Sequence, residues 1–153
     1  MIVYRICKAR YDKTAFSGSG GLYASGRWHH KGQPIVYAAA TLSLAALEYL
    51  VHLGRTDAQI SFVYVQAVIP ENSSIETVDP ISLPRNWTSA PPIEATMELG
   101  TQWCAETRSA VIKVPSAIVP AEFNFLLNPR HPDFTLIRIA APEPFSFDSR
   151  LWK

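Results

Sequence analysis

Hydrophobic and polar positions alternate along Ile2-Val3-Tyr4-Arg5-Ile6, which predicts a first strand. Residues 7 to 26 lose that pattern, and Gly18, Gly20, Gly21 and Gly26 predict a loop there. Ile35-Val36-Tyr37-Ala38-Ala39 follows Pro34 as a short buried strand. Thr41 suits the N-cap of a helix running to about Leu53, with Gly54 as its stop. That helix is apolar on nearly every side, so it is expected to be the buried central helix. Ile60 to Ile69 carries the strongest strand pattern in the chain and ends at Pro70. A short strand near Ile75 to Val78 precedes a loop containing Pro80 and Pro84, and a helix is predicted from about Pro92 to Glu106. Ala110 to Val114, Phe134 to Ile139 and Pro144 to Phe147 complete the strands.

The order is strands, helix, strands, helix, strands. Regular βαβ alternation is missing, which argues against a doubly wound parallel sheet. The expectation is one α+β domain over residues 1–153, with a mixed, largely antiparallel sheet. No repeat or low-complexity segment divides it.

Composition narrows the function classes. The chain is 48% hydrophobic and 18% charged, the balance of a folded protein. Fourteen basic and 13 acidic residues give a net charge of +1, without a concentrated basic run, so direct nucleic-acid binding is not expected. The longest near-apolar stretch is broken by Glu48 and is shorter than the roughly 20 residues of a membrane-spanning helix. No signal-peptide pattern opens the chain, so a cytoplasmic protein is expected. Cys7 and Cys104 lack a disulfide or metal spacing and read as free thiols. His29, His30, His52 and His131 lack zinc-ligand spacing, and no metal site is expected.

Glu48 stands out because its surroundings, Leu42 to Val51, are otherwise almost wholly apolar. Burying an unpaired carboxylate costs several kcal/mol, so it either reaches solvent beside His52 at i+4 or faces a cavity with partners. Upstream, Gly26 precedes Arg27, whose guanidinium is either an exposed hairpin charge or a fork for phosphate. The glycine spacing matches neither a P-loop nor a Rossmann turn. Tyr37 is either a core ring or a stacking surface, and Arg5 is either solvated or directed into a polar cleft. Ser116 follows a strand without the surroundings of a hydrolase nucleophile elbow. Asn124 lies between two phenylalanines ahead of Asn128-Pro129, as a turn former or a site residue.

Taken in order, Tyr4-Arg5-Ile6, Gly26-Arg27-Trp28, Val36-Tyr37-Ala38, Glu48, Pro115-Ser116-Ala117 and Asn124-Phe125-Leu126-Leu127-Asn128-Pro129 resemble the RES domain. Its arginine, glutamate and serine would be Arg27, Glu48 and Ser116. The resemblance implies a fold similar to ADP-ribosyltransferases and a toxin of a bacterial type II toxin–antitoxin system. It implies an NAD+-consuming enzyme, a glycohydrolase or phosphorylase, that depletes NAD and arrests growth. The alternatives are a protein ADP-ribosyltransferase and an inactive RES-like interaction protein. Glu48, Arg27, Tyr37 and Ser116 would be catalytic, while Arg5, Arg27, Tyr37, Ser116 and Asn124 would line the NAD+ site. NAD+ enters as substrate, with no separate cofactor. The implied partner is an Xre-type antitoxin, and a homodimer of the chain within that complex is compatible with the resemblance.

Overall fold

The computed structural model describes residues 1–54, 57 and 59–152. Its strands are β1 (Ile2–Lys8), β2 (Val36–Ala39), β3 (Phe62–Val68), β4 (Ile75–Thr77), β5 (Val111–Pro115), β6 (Phe123–Leu127), β7 (Arg138–Ile139) and β8 (Glu143–Phe145). They form one eight-stranded sheet in the order β4-β5-β6-β2-β1-β3-β7, with β8 also on β3. Among the described residues only the β4–β5 pair is parallel. The fold is therefore α+β with a mixed, largely antiparallel sheet. The α-helices are α1 (Ser19–Tyr23), α2 (Leu42–Leu50) and α3 (Glu94–Ala105).

Strand alternation divides the apolar residues between two faces. Val3, Cys7, Val36, Ala38, Val65, Ala67, Val111, Phe125 and Leu127 share one core with Ala15 and Phe16. The other face carries two clusters. One packs Leu44 and Ala45 of α2 against Ile6, Ala39 and Phe62. Near α3 lie Trp28, Trp87, Trp103, Cys104, Ile112, Val114 and Leu126. Asn124 is opposite Ala39 on one side and Val114 on the other, so it sits where these two clusters meet.

Several local expectations change. Thr41 caps α2 by accepting from the Leu44 amide at 3.0 Å. The helix nevertheless ends at Leu50, because Val51 to Leu53 tighten into a turn, and the Gly54 amide bonds to Asp57 instead of stopping the helix. Leu44 and Ala45 are buried while Leu47 and Val51 are exposed, so α2 is covered on one side and not all round. The stretch 7–26 is not plain loop: β1 runs to Lys8, a 3-10 turn spans Ala9–Thr14 and α1 follows. The strand expected over Phe134 to Ile139 begins only at Arg138. The His131 side chain caps Asp133 and Pro132 favours a helical first turn, giving a 3-10 turn at Pro132–Leu136. Phe123–Leu127 is a central strand rather than turn sequence; the turn begins after it, at Asn128.

β1 and β3 pair through seven consecutive positions, from Ile2–Val68 to Lys8–Phe62. By contrast, β1 and β2 register only at Tyr4–Ala39. Beyond that point β1 and β2 are not in register with each other. There the Arg5 guanidinium donates from Nη1 to the Tyr37 carbonyl at 2.8 Å. Among the described residues no helix is long and apolar enough to cross a membrane.

Candidate active site

Glu48 projects from α2 toward the ends of β5 and β6. Its Oε1 accepts from Ser116 Oγ at 2.7 Å and from Asn124 Nδ2 at 2.5 Å. Glu48 Oε2 has no hydrogen-bond partner among the described residues. One oxygen is thus fixed by two donors and the other is left to interact with a ligand. The i+4 pairing with His52 is replaced by these long-range partners.

Ser116 is fully buried just past β5. Its hydroxyl donates to Glu48 and accepts from the amides of Ile118 (3.1 Å) and Val119 (3.0 Å). The serine therefore turns the chain after β5 and aims its proton at the carboxylate. Asn124 on β6 is buried as well, and its amide leaves the sheet face to reach the same oxygen.

Arg27 is held in a narrow turn. Gly26 and His29 exchange backbone bonds across it, at 3.0 and 3.4 Å. A Cβ on Gly26 would lie 2.6 Å from the Tyr37 hydroxyl, so only glycine lets the turn approach β2 this closely. Trp28 is buried and its ring packs against Trp87 with centroids 5.9 Å apart. The Trp28 carbonyl rests on α3 at Gly100, where a Cβ would come within 1.8 Å of the oxygen. Arg27 itself donates from Nη1 to the carbonyls of Trp87 (2.7 Å) and Ser89 (2.9 Å). Neither Nε nor Nη2 has a hydrogen-bond partner among the described residues, so part of the fork remains for an anion. Burial lowers the pKa of Arg27, and the nearby charge of Glu48 opposes that shift.

Tyr37 faces this turn from β2. Its hydroxyl accepts from the Trp28 amide at 3.2 Å and bonds to His29 Nδ1 at 2.7 Å. Burial raises its pKa far above that of an ordinary phenol, so it stays protonated. Arg27 and Glu48 both act on it electrostatically. Arg5 reaches the group through the backbone alone, at the Tyr37 carbonyl. Its Nε is buried without a partner among the described residues, and burial lowers its pKa.

The model of the RES domain family matches residues 2–148. The chain belongs to the RES domain family. It is 42% identical to "Toxin Res" of Photorhabdus laumondii, over 100% of this chain and 98% of that protein. It is 41% identical to "Toxin Res" of Yersinia enterocolitica, over 99% of both chains. A third relative, the "Prs ADP-ribosylating toxin" of a Sphingobium species, is 36% identical over 92% of this chain and 89% of its own length. The α+β architecture with its mixed sheet is ADP-ribosyltransferase-like, in keeping with that third name.

In this RES domain the structure joins Glu48, Ser116 and Asn124 by direct hydrogen bonds, with Arg27 and Tyr37 within electrostatic reach of Glu48. Arg5 props the β2 backbone and makes no side-chain bond to the others among the described residues. Sequence reasoning passes over His29, Trp87 and Ser89. The last two act through carbonyls, which no side chain advertises. His29 carries a signal only when its ring is paired with a residue eight positions later, rather than searched for as a metal ligand. His30, next to it, instead faces the carboxylates of Glu94 (3.0 Å) and Glu98 (3.6 Å) on α3.

Proposed function

We propose that this RES domain cleaves NAD+ at the nicotinamide–ribose bond and acts as the toxin of a type II toxin–antitoxin system. The observation that carries the reading is the Glu48 carboxylate, fixed at one oxygen by Ser116 and Asn124 and free at the other. As the glycosidic bond breaks, its electron pair moves to the nicotinamide nitrogen and the base leaves uncharged. The ribose acquires oxocarbenium character at C1′. Glu48 Oε2 stabilises that charge or orients a ribose hydroxyl, an effect worth about 10² to 10³ in rate for a preorganised group. Arg27 offers the unpaired part of its fork to the pyrophosphate, and Arg5 adds a second cation. The Tyr37 ring packs against the nicotinamide end of the substrate. An acceptor oxygen, from water or phosphate, then bonds to C1′ and gives up its proton. NAD+ is a substrate here, and the chemistry calls on no separate cofactor or metal.

The test is direct. Purified protein is incubated with NAD+, with and without phosphate, while nicotinamide, ADP-ribose and protein labelling are followed. Nicotinamide release that depends on Glu48 supports the reading, and no release under any condition sinks it. Transfer of ADP-ribose to a protein is the second reading, favoured by the name of the Sphingobium relative. Label carried onto protein, rather than free ADP-ribose, would select it.

The partner in this reading is an Xre-type antitoxin that covers the cleft and brings the DNA-binding function, which suits the near-neutral charge of this chain. Expression without the antitoxin is expected to deplete NAD and arrest growth in the cytoplasm, and Arg27→Ala is expected to relieve the arrest. A homodimer inside the complex is part of the same proposal, tested by the mass of the co-purified assembly.

A further inference from the structure

The bond-breaking scheme gives His29 no part, yet this ring is buried beside Tyr37 and uses both of its nitrogens. Nε2 lies 3.0 Å from the Ala24 carbonyl. A carbonyl only accepts, so Nε2 carries the hydrogen and the neutral ring presents Nδ1 as an acceptor. The Tyr37 hydroxyl then donates to Nδ1 over 2.7 Å, and its oxygen receives the Trp28 amide at 3.2 Å. The result is a directed chain from the peptide that follows Arg27, through Tyr37 and His29, to Ala24. The ring has little room to move. A Cβ on Gly26 would lie 2.9 Å from its Cε1, and one on Gly21 would lie 3.0 Å from its Nε2.

We propose that neutral His29 is the positioning residue that fixes Tyr37 and the Arg27 peptide, and that protonation of His29 unlocks the site, so that activity is lost in acid. The proposal rests on the NAD+-cleaving reading for its activity arm. A proton on Nδ1 would remove the acceptor of the Tyr37 hydroxyl. Two N–H groups, from His29 and Trp28, would then point at one phenolic oxygen, and the phenol's own hydrogen would have to turn elsewhere. The Tyr37 hydroxyl accepts the amide of Trp28, next to Arg27, so a shift of this ring moves the turn that carries Arg27.

The groups facing His29 are Tyr37 from β2, His30 from its own loop and the backbone of Gly21 from α1. Burial lowers the His29 pKa, the bond to Ala24 opposes that shift, and His30 adds to it. The acid limb therefore falls below the ordinary histidine range, and the site is locked at neutral pH.

Two substitutions separate the ring's two bonds. His29→Asn places an amide oxygen near the position of Nδ1 and keeps an acceptor for Tyr37. His29→Gln extends toward the position of Nε2 and does not. Nicotinamide release by the wild type and both variants is measured from about pH 5 to about pH 8, with folding checked by thermal unfolding. Expected are an acid loss in the wild type that H29N lacks, and a kcat for H29Q about tenfold below that of H29N, with KM little changed. Long-range 15N NMR on the full-length wild type reads the tautomer and titration of His29 without reference to catalysis. It should find Nε2–H at neutral pH and a midpoint that coincides with the acid loss. Equal activity of H29N and H29Q, an acid limb retained in H29N, or an Nδ1–H tautomer would overturn the proposal. A wild type that releases no nicotinamide would fail the NAD+ reading instead, and the NMR tautomer would then decide whether the lock exists.

Discussion

Ser116 Oγ donates to Glu48 Oε1 at 2.7 Å, joining residues 68 positions apart. Asn124 donates to the same oxygen, and Oε2 is left open. A glutamine at 48 would turn its carbonyl oxygen toward these two donors and present an NH2 where Oε2 stood. The shape of the site would persist while its outward atom changed from an acceptor with charge to a donor without it. Glu48→Gln is expected to keep the thermal midpoint within a few degrees and to lower nicotinamide release about 10²-fold or more. Steady-state kinetics beside a melting curve check both halves. Wild-type turnover in this variant would remove Glu48 from the mechanism.

Ser116→Ala should behave differently. It deprives Glu48 of one donor and also strands the amides of Ile118 and Val119 in a half-buried turn. Leaving such groups unsatisfied costs about 1–3 kcal/mol, so this variant should be both less active and less stable. Denaturant unfolding compared with that of Glu48→Gln separates the two effects.

Arg27→Lys retains the charge but not the fork. A single ammonium cannot hold the Trp87 and Ser89 carbonyls and at the same time offer the second nitrogen and Nε of Arg27 to an anion. KM for NAD+ is expected to rise at least about tenfold. Hydrogen exchange in residues 86–90 should quicken as well. Exchange that stayed at the wild-type rate would show that the clamp on this segment does not depend on the guanidinium.

The two glycines around the Arg27 turn make unequal demands. Gly100→Ala would drive a methyl into the Trp28 carbonyl, a backbone atom that cannot step aside. Overpacking of this kind costs about 1–3 kcal/mol or more, and a clear drop in melting temperature is expected. Gly26→Ala meets the Tyr37 hydroxyl and the His29 ring, so its loss should appear first in activity. Equal effects of the two on stability would contradict this division.

His29 also links folding to pH. Its pKa is depressed in the folded chain by burial, so the unfolded chain binds the proton more readily. The stabilisation is fully present above the unfolded pKa of about 6.5 and is lost as pH falls through the folded value. Denaturant midpoints should therefore decline on going from about pH 7 to about pH 5, and His29→Asn should flatten that decline. A slope unchanged in the variant would assign the effect to other groups.

The parts of this fold that are legible from sequence are those with a strong local pattern. β3 and the Thr41 cap of α2 are of this kind, as is the proline-led start near α3. β6 is not, because Phe-Asn-Phe-Leu-Leu reads as easily as the approach to the Asn128-Pro129 turn. Glu48, Arg27, Tyr37 and Ser116 stand out through their residue types and their order. What joins them does not, since Glu48 has a local alternative in His52 and finds its partners on β5 and β6 only after the sheet has formed. The carbonyl clamp on Arg27 is also invisible, because any residue at 87 or 89 has a carbonyl. His29 shows the opposite error: a search for metal spacing overlooks a histidine whose partner is a tyrosine.

The sheet order has a consequence for synthesis. β6 lies between β2 and β5, and it carries Asn124. A growing chain that has produced Arg27, Tyr37 and Glu48 has still made neither Ser116 nor Asn124. On the ribosome the carboxylate lacks both fixing donors until the chain has emerged past Asn124. On the proposed reading, cleavage of NAD+ starts only once β6 has closed between β2 and β5.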